Sequence, residues 1–147
     1  MATGIGNPLG FVQVLDGGAP RIITGYARET ISGGCFVYGS TAADVIGSQT
    51  ASFADSDIKF CNNATGNIVN GVAVNTATSG APIAVCTRGV IIALADGTVT
   101  AGGPVVVTGV NAVRDISTGS LATTMYPIGR ALTTAGSEGF CLVHLNL

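Results

Sequence analysis

The residue types able to do covalent or acid–base chemistry are few in this chain and poorly spaced for it. Nucleophilic catalysis needs a serine or cysteine beside a base, and His144 is the one imidazole available. Cys141 lies three residues before it, in the run Phe140-Cys141-Leu142-Val143-His144-Leu145-Asn146-Leu147, which reads as a strand. An odd separation on a strand puts two side chains on opposite faces, so this pair cannot act directly. Cys35, Cys61 or Cys86 could meet His144 only through the fold. Ala135-Gly136-Ser137-Glu138-Gly139 approaches the nucleophile-elbow pattern, but alanine holds the first glycine position and no helix-forming stretch follows.

Metal and cofactor chemistry is equally poorly served. Cys35, Cys61, Cys86 and Cys141 form no CxxC pair and match no zinc-ribbon spacing. Three of them sit in apolar, strand-like runs, where a free cysteine behaves as a small buried residue, and a disulfide is the alternative in an oxidising compartment. Asp55-Ser56-Asp57 could open a calcium loop, yet Lys59 stands at the third ligand position and Phe60 at the turn glycine. Gly4-Ile5-Gly6 starts like a dinucleotide fingerprint, but no strand precedes it and Pro8 breaks the spacing. Asp44, Asp55, Asp57, Asp96 and Asp115 mostly fall in turn contexts, where a carboxylate bonds nearby backbone N–H groups. Asn63-Ala64-Thr65 has the glycosylation pattern without an export signal to make use of it. The expectation is no catalytic residue, no metal and no cofactor.

Composition turns attention from chemistry to surfaces. The 147 residues suit one principal domain, and they are 47% hydrophobic but only 10% charged and 5% aromatic, against roughly 25% charged in ordinary globular chains. The surface must therefore be built from Thr, Ser, Asn and Gly. Lys59 is the only lysine, and six cations face eight anions, so little is available to neutralise phosphates and nucleic-acid binding is not expected. The segment Met1–Pro8 has neither the basic region nor the apolar stretch of a secretory signal, and no hydrophobic run approaches the 18 residues or so of a membrane span.

The apolar runs are short, rich in Val and Ile, and punctuated by Gly, Pro, Asn and Asp, the pattern of many strands joined by tight turns. Strand candidates are residues 11–15, 21–26, 35–38, 68–74, 83–86, 89–95, 104–108, 126–132 and 140–147. In the last of these Cys141, Val143, Leu145 and Leu147 share one face, taken as the core side. Residues 39–67 show no sustained period and read as an irregular insertion, with a short helical turn around Ala42–Val45. No internal repeat of 20–50 residues is apparent. The expected architecture is mainly β, a small antiparallel sandwich or barrel over 29–147, preceded by an extended N-terminal arm, 1–28.

Several segments, in order, resemble the capsid cement or head-decoration proteins of tailed phages. These are Gly34-Cys35-Phe36-Val37, Asn70-Gly71-Val72-Ala73-Val74, Thr87–Leu94, Thr100-Ala101-Gly102-Gly103-Pro104-Val105-Val106, Ile128-Gly129-Arg130-Ala131-Leu132 and Gly139–Leu145, which together cover roughly residues 30–147. The four cysteines, the segment 39–67 and the low charge depart from that family's pattern. The resemblance implies a non-enzymatic virion protein, made in the host cytoplasm, that coats the outside of an icosahedral shell. Its partners would be the major capsid protein and further copies of itself, a trimer being favoured over a dimer. A carbohydrate-binding or adhesin-like β module is the alternative, with only Tyr26, Tyr38 and Tyr126 as stacking platforms.

The arm is dense in Gly and Pro and cannot by itself offset an ordering cost of about 1–2 kcal/mol per residue. It does contain Phe11-Val12-Gln13-Val14-Leu15, a run of good strand formers. This is the candidate docking strand, expected to add to an exposed sheet edge of a neighbouring subunit or of the shell protein, or else to pair within its own domain.

Overall fold

The computed structural model describes residues 14–15, 20–39, 59–62, 69–116 and 126–147. Ten strands lie among them: β1 (Val14–Leu15), β2 (Arg21–Ala27), β3 (Phe36–Gly39), β4 (Lys59–Asn62), β5 (Gly71–Ala73), β6 (Pro82–Ala95), β7 (Pro104–Val107), β8 (Ala112–Asp115), β9 (Gly129–Ala131) and β10 (Phe140–Asn146). Pro82 and Pro104 each open a strand, where a missing N–H costs least. The chain is mainly β, as its Val- and Ile-rich runs require.

β6, with 14 residues, is the longest strand and organises the rest. Along one edge it binds β5, with Val72 opposite Cys86, and then β10, from Asn146 opposite Arg88 to Phe140 opposite Leu94. Along the other edge it binds β2, then β1 opposite Val90 and Ile91, then β8 opposite Leu94 and Ala95. The remaining pairings close two rings of five strands. One runs β6-β2-β4-β3-β5 and back to β6; the other runs β6-β8-β7-β9-β10 and back to β6. The first half of β6 belongs to one small barrel and the second half to the other.

Between the halves, β6 changes which face looks inward. Arg21 pairs with Arg88 but Ile22 with Cys86, so Thr87 is an extra, bulged residue. The Cys86 thiol donates across the bulge to the Arg88 carbonyl at 3.2 Å, and Gly89 takes φ 140°, a left-handed value open to glycine. Ile83 and Val85 therefore join the first core with Ala27, Ile31, Val37, Phe60 and Ala73. Cys86, Ile91, Ala93 and Ala95 join the second, with Val105, Val113, Ala131, Cys141, Val143 and Leu145. Phe36, Val69 and Val72, from the first ring's part of the chain, also pack in the second core, so the barrels share an apolar junction.

The two barrels are copies of one design. Offsetting residues by 68 maps β2 and β3 onto the end of β6 and onto β7; offsetting by 58 maps β5 and the start of β6 onto β9 and β10. Pairings follow: Gly25 opposite Ile83 becomes Ala93 opposite Cys141, and the parallel pair Ala27–Phe60 becomes Ala95–Val113. So do the turns. Gly33 N–H donates to Thr76 Oγ1 as Ala101 N–H does to Thr134 Oγ1, and Ala84 N–H donates to Asn75 Oδ1 as Leu142 N–H does to Thr133 Oγ1. Gly34 and Gly102 share positive φ, as do Gly80 and Glu138. This duplication lies outside the range of about 20–50 residues in which no repeat was expected. The copies are longer than that, and their loops differ in length.

Four expectations change. The sheet is mixed, since β2–β4 and β6–β8 are parallel pairs; each joins strands separated by more than a hairpin turn, which permits the parallel sense. Residues 83–86 and 89–95 form a single strand, continuous through the bulge. Lys59–Asn62, inside the segment read as irregular, is β4, with Phe60 buried at its centre. Residues 21–27, assigned to the arm by the sequence reading, are β2 of the first barrel. The turn expected around Ala42–Val45 lies outside the described residues.

Gly71 and Gly129 are equivalent, and both are required by close backbone approach. A Cβ at Gly129 would overlap the His144 carbonyl oxygen, and one at Gly71 would overlap the Cys86 carbonyl oxygen and the Val85 side chain. Gly71→Ala and Gly129→Ala are each expected to lower unfolding free energy by about 1–3 kcal/mol or more, whereas Gly136→Ala, with open space at its Cβ, stays within about 0.5 kcal/mol of the parent. Urea denaturation of the three variants checks this.

Candidate docking surfaces

Among the described residues, the chemically capable groups of β10 are not brought together. On β10, Cys141 is buried in the second core while His144 is exposed on the outer face. His144 lies opposite Arg130 and shares a shallow hollow of about 410 Å³ with Arg130, Pro104, Pro127 and Asn146. Ser137 sits in an exposed turn between β9 and β10, not at a strand-to-helix elbow. Asp96 holds Arg114 at 2.9 Å, with both side chains more than a third exposed; it fastens β8 to the turn after β6 and adds little stability. Asp115 is buried. Asp44, Asp55, Asp57, Asn63 and Gly4–Gly6 lie outside the described residues. Among the described residues, no three His, Cys, Asp or Glu side chains are placed to hold a metal, and no helix is long and apolar enough to cross a membrane.

All four cysteines are free thiols; Cys35, Cys86 and Cys141 are buried and Cys61 is half-buried. Burial raises the pKa of Cys35 and Cys86 above the usual thiol value, against an opposing backbone hydrogen bond in each case, and pushes Cys141 up to about 11. These groups behave as core side chains.

What the barrels present outward differs between the copies. On the second, Val90, Ile92 and Leu94 of β6 stand beside Phe140 and Leu142 of β10, with Phe140 opposite Leu94 and Leu142 opposite Ile92. All five are only partly buried, and Leu132 beside them is 49% exposed. This is an uncharged apolar sheet face, ended by Arg130 and His144. The equivalent positions of the first barrel carry Ile22, Thr24, Tyr26, Pro82 and Ala84, a more polar and smaller set. The alternation that made residues 89–95 and 140–147 readable as strands marked this face too, because Val90, Ile92 and Leu94 are as apolar as the residues they alternate with.

Of the candidate docking strand, Val14 and Leu15 form β1, antiparallel to β6 of the same chain, with Leu15 opposite Val90 and Val14 opposite Ile91. Phe11, Val12 and Gln13 lie outside the described residues. β1 occupies the stretch of β6 edge between β2 and β8. Strand addition to an open edge is therefore a mode this fold already uses internally.

No protein-family model matches the chain, and no curated protein matches it. Among solved structures it is similar to the N base of the head fiber gp8.5 of bacteriophage phi29, with a TM-score of 0.57 and 14% sequence identity over 87% of this chain and 95% of that one. At that identity the likeness establishes a shared fold, and it spans both barrels.

Thiol burial sets a pH dependence. A thiol whose pKa is higher folded than unfolded stays protonated in the native state while the unfolded chain loses its proton, so stability falls as pH rises from about 9 toward 11. For Cys141 the folded value of about 11 against an ordinary 9.0 corresponds to roughly 2–3 kcal/mol at full effect. Cys141→Ala is expected to show a shallower loss of stability than the parent over this range, read from urea midpoints between pH 8 and 11.

Proposed function

We propose that this protein is a structural component of a phage virion that binds the outside of an icosahedral head and stabilises the shell of major capsid protein, acting as a small homo-oligomer with a trimer favoured. The observation that carries the reading is the fold shared with the head fiber N base of phi29 over nearly the whole of both chains. A resemblance to head-decoration proteins, read from the ordered segments between residues 30 and 147, points the same way.

The chemistry of the surface supports it. A chain with 10% charged residues and an uncharged apolar face on β6 and β10 is suited to burying area against other subunits. In an icosahedral shell each contact is repeated many times, so a modest interface per copy suffices to resist internal pressure. Catalysis is not required for such a role.

The test is binding to heads of the phage that encodes it. Purified protein mixed with heads stripped of decoration is expected to co-sediment saturably, and decorated heads are expected to survive heating that bursts bare ones. Absence from density-purified virions, or glycan binding without head binding, would reverse the reading in favour of a carbohydrate-binding module.

A further inference from the structure

The duplication exposes a vacancy among the described strands. In the second barrel, the first strand (the end of β6) carries β8 at Leu94 and Ala95 and β1 at Val90 and Ile91 on one edge. In the first barrel, the equivalent strand, β2, carries β4 at Tyr26 and Ala27 on the equivalent edge. At Ile22 and Ile23, the counterparts of Val90 and Ile91, no described strand takes the place of β1.

The vacancy is equipped to receive a strand. Arg28 N–H donates to Phe60 O, so by the alternation of strand hydrogen bonding the even residues of β2, Ile22 and Thr24 among them, turn their backbone groups to this outer edge. The Ile22 side chain is 48% exposed. Beside the edge, Ile23, Phe60, Val69 and Leu147, with Arg21 and Asn70, line a cleft of about 530 Å³. In the second barrel the counterparts of the half-buried Ile23 and the exposed Asn70 are Ile91 and Ile128, both buried.

We propose that this edge is filled by the N-terminal segment, residues 1–13, of a second copy of the chain, pairing with β2 as Val14–Leu15 pairs with β6. Three observations select that occupant. The filled counterpart accepts an apolar dipeptide of this same arm, and a second one, Phe11-Val12, precedes it with Gln13 between. From Leu15 to Val14 the pairing steps from Val90 to Ile91, so β1, followed toward its N-terminal end, points toward Ala95 and away from its own β2. Thirteen residues extend up to about 43–47 Å, enough to cross to a neighbour while Val14–Leu15 stays in place. The contact is head-to-tail, each copy giving one arm and offering one edge, and closes into a ring where the rotation allows. It does not depend on the capsid reading.

Two variants separate the halves of the contact. A chain lacking residues 1–12 keeps β1 and its edge but cannot donate; Ile22→Pro keeps the arm but loses the outward N–H, while the bonds from β2 to β6 use the other residues. By light scattering at micromolar concentration the full chain is expected to be oligomeric, each variant alone monomeric, and their mixture to form a one-to-one complex. Amide exchange at Ile22 and Thr24 is expected to be slowed by roughly tenfold or more in the full chain relative to the truncated one, in a concentration-dependent way. A monomeric full chain, oligomers that survive both changes, or protection independent of concentration, which would mean the chain's own arm fills the edge, each overturns the proposal. Should Ile22→Pro fail to fold, the exchange comparison of full and truncated chains decides without it.

Discussion

Both barrels close through a single strand. Hydrogen bonds from β6 complete the first ring with β2 and β5 and the second with β8 and β10, so neither ring can form its last pairing until β6 is in register with both. A strand buried on one face fixes its register by its apolar period, and a slip of one residue would turn that whole set outward. β6 has to meet this condition twice with opposite faces, Ile83 and Val85 inward on one side, Ile91, Ala93 and Ala95 on the other. The extra residue at Thr87 and the left-handed Gly89 reconcile the two demands within three positions.

Seen as a duplication, the chain separates what the backbone needs from what a given side chain happens to supply. The amide of the third residue in the final strand of each unit donates to a side-chain oxygen at the same place, Asn75 in one copy and Thr133 in the other. The left-handed turn position is Gly80 in one and Glu138 in the other. By contrast Gly71 and Gly129 are the same residue because only hydrogen fits beneath the neighbouring carbonyl, and Thr76 and Thr134 are the same because a hydroxyl at that distance satisfies a turn amide. The identities between the copies concentrate where geometry leaves no choice.

That concentration explains what could be read from the sequence. Mainly β character, the positions of the Gly- and Pro-marked turns, and the inward face of Cys141, Val143 and Leu145 follow from local pattern. β4 and β8 escape it: each is four residues long, β4 buries Phe60 fully and β8 buries Val113 and Asp115, too few for alternation to register. The polar Thr87-Arg88-Gly89 looks like a turn because a bulge and a turn use the same residues. The repeat left one local trace, Gly71-x-Ala73-x-x-Thr76-Ala77-x-Ser79 against Gly129-x-Ala131-x-x-Thr134-Ala135-x-Ser137. It stays below notice because the loops between β3 and β5 and between β7 and β9 differ in length. Of the docking strand, the sequence showed a segment with strand-forming residues but not its partner, since the edge it meets is created by residues about 75 positions away.

Function in such a molecule resides where the copies differ. Two identical barrels with two identical edges would offer every contact twice, and head-to-tail contacts offered twice branch or run on without limit. Here β1 covers the edge of the second barrel from within the chain, and where the second barrel has Val90, Ile92, Leu94, Phe140 and Leu142 on its outer face the first has Ile22, Thr24, Tyr26, Pro82 and Ala84. Filling one edge internally leaves, among the described strands, one comparable edge open, and under the proposed exchange each copy gives one arm to one edge, the numbers that a closed ring requires.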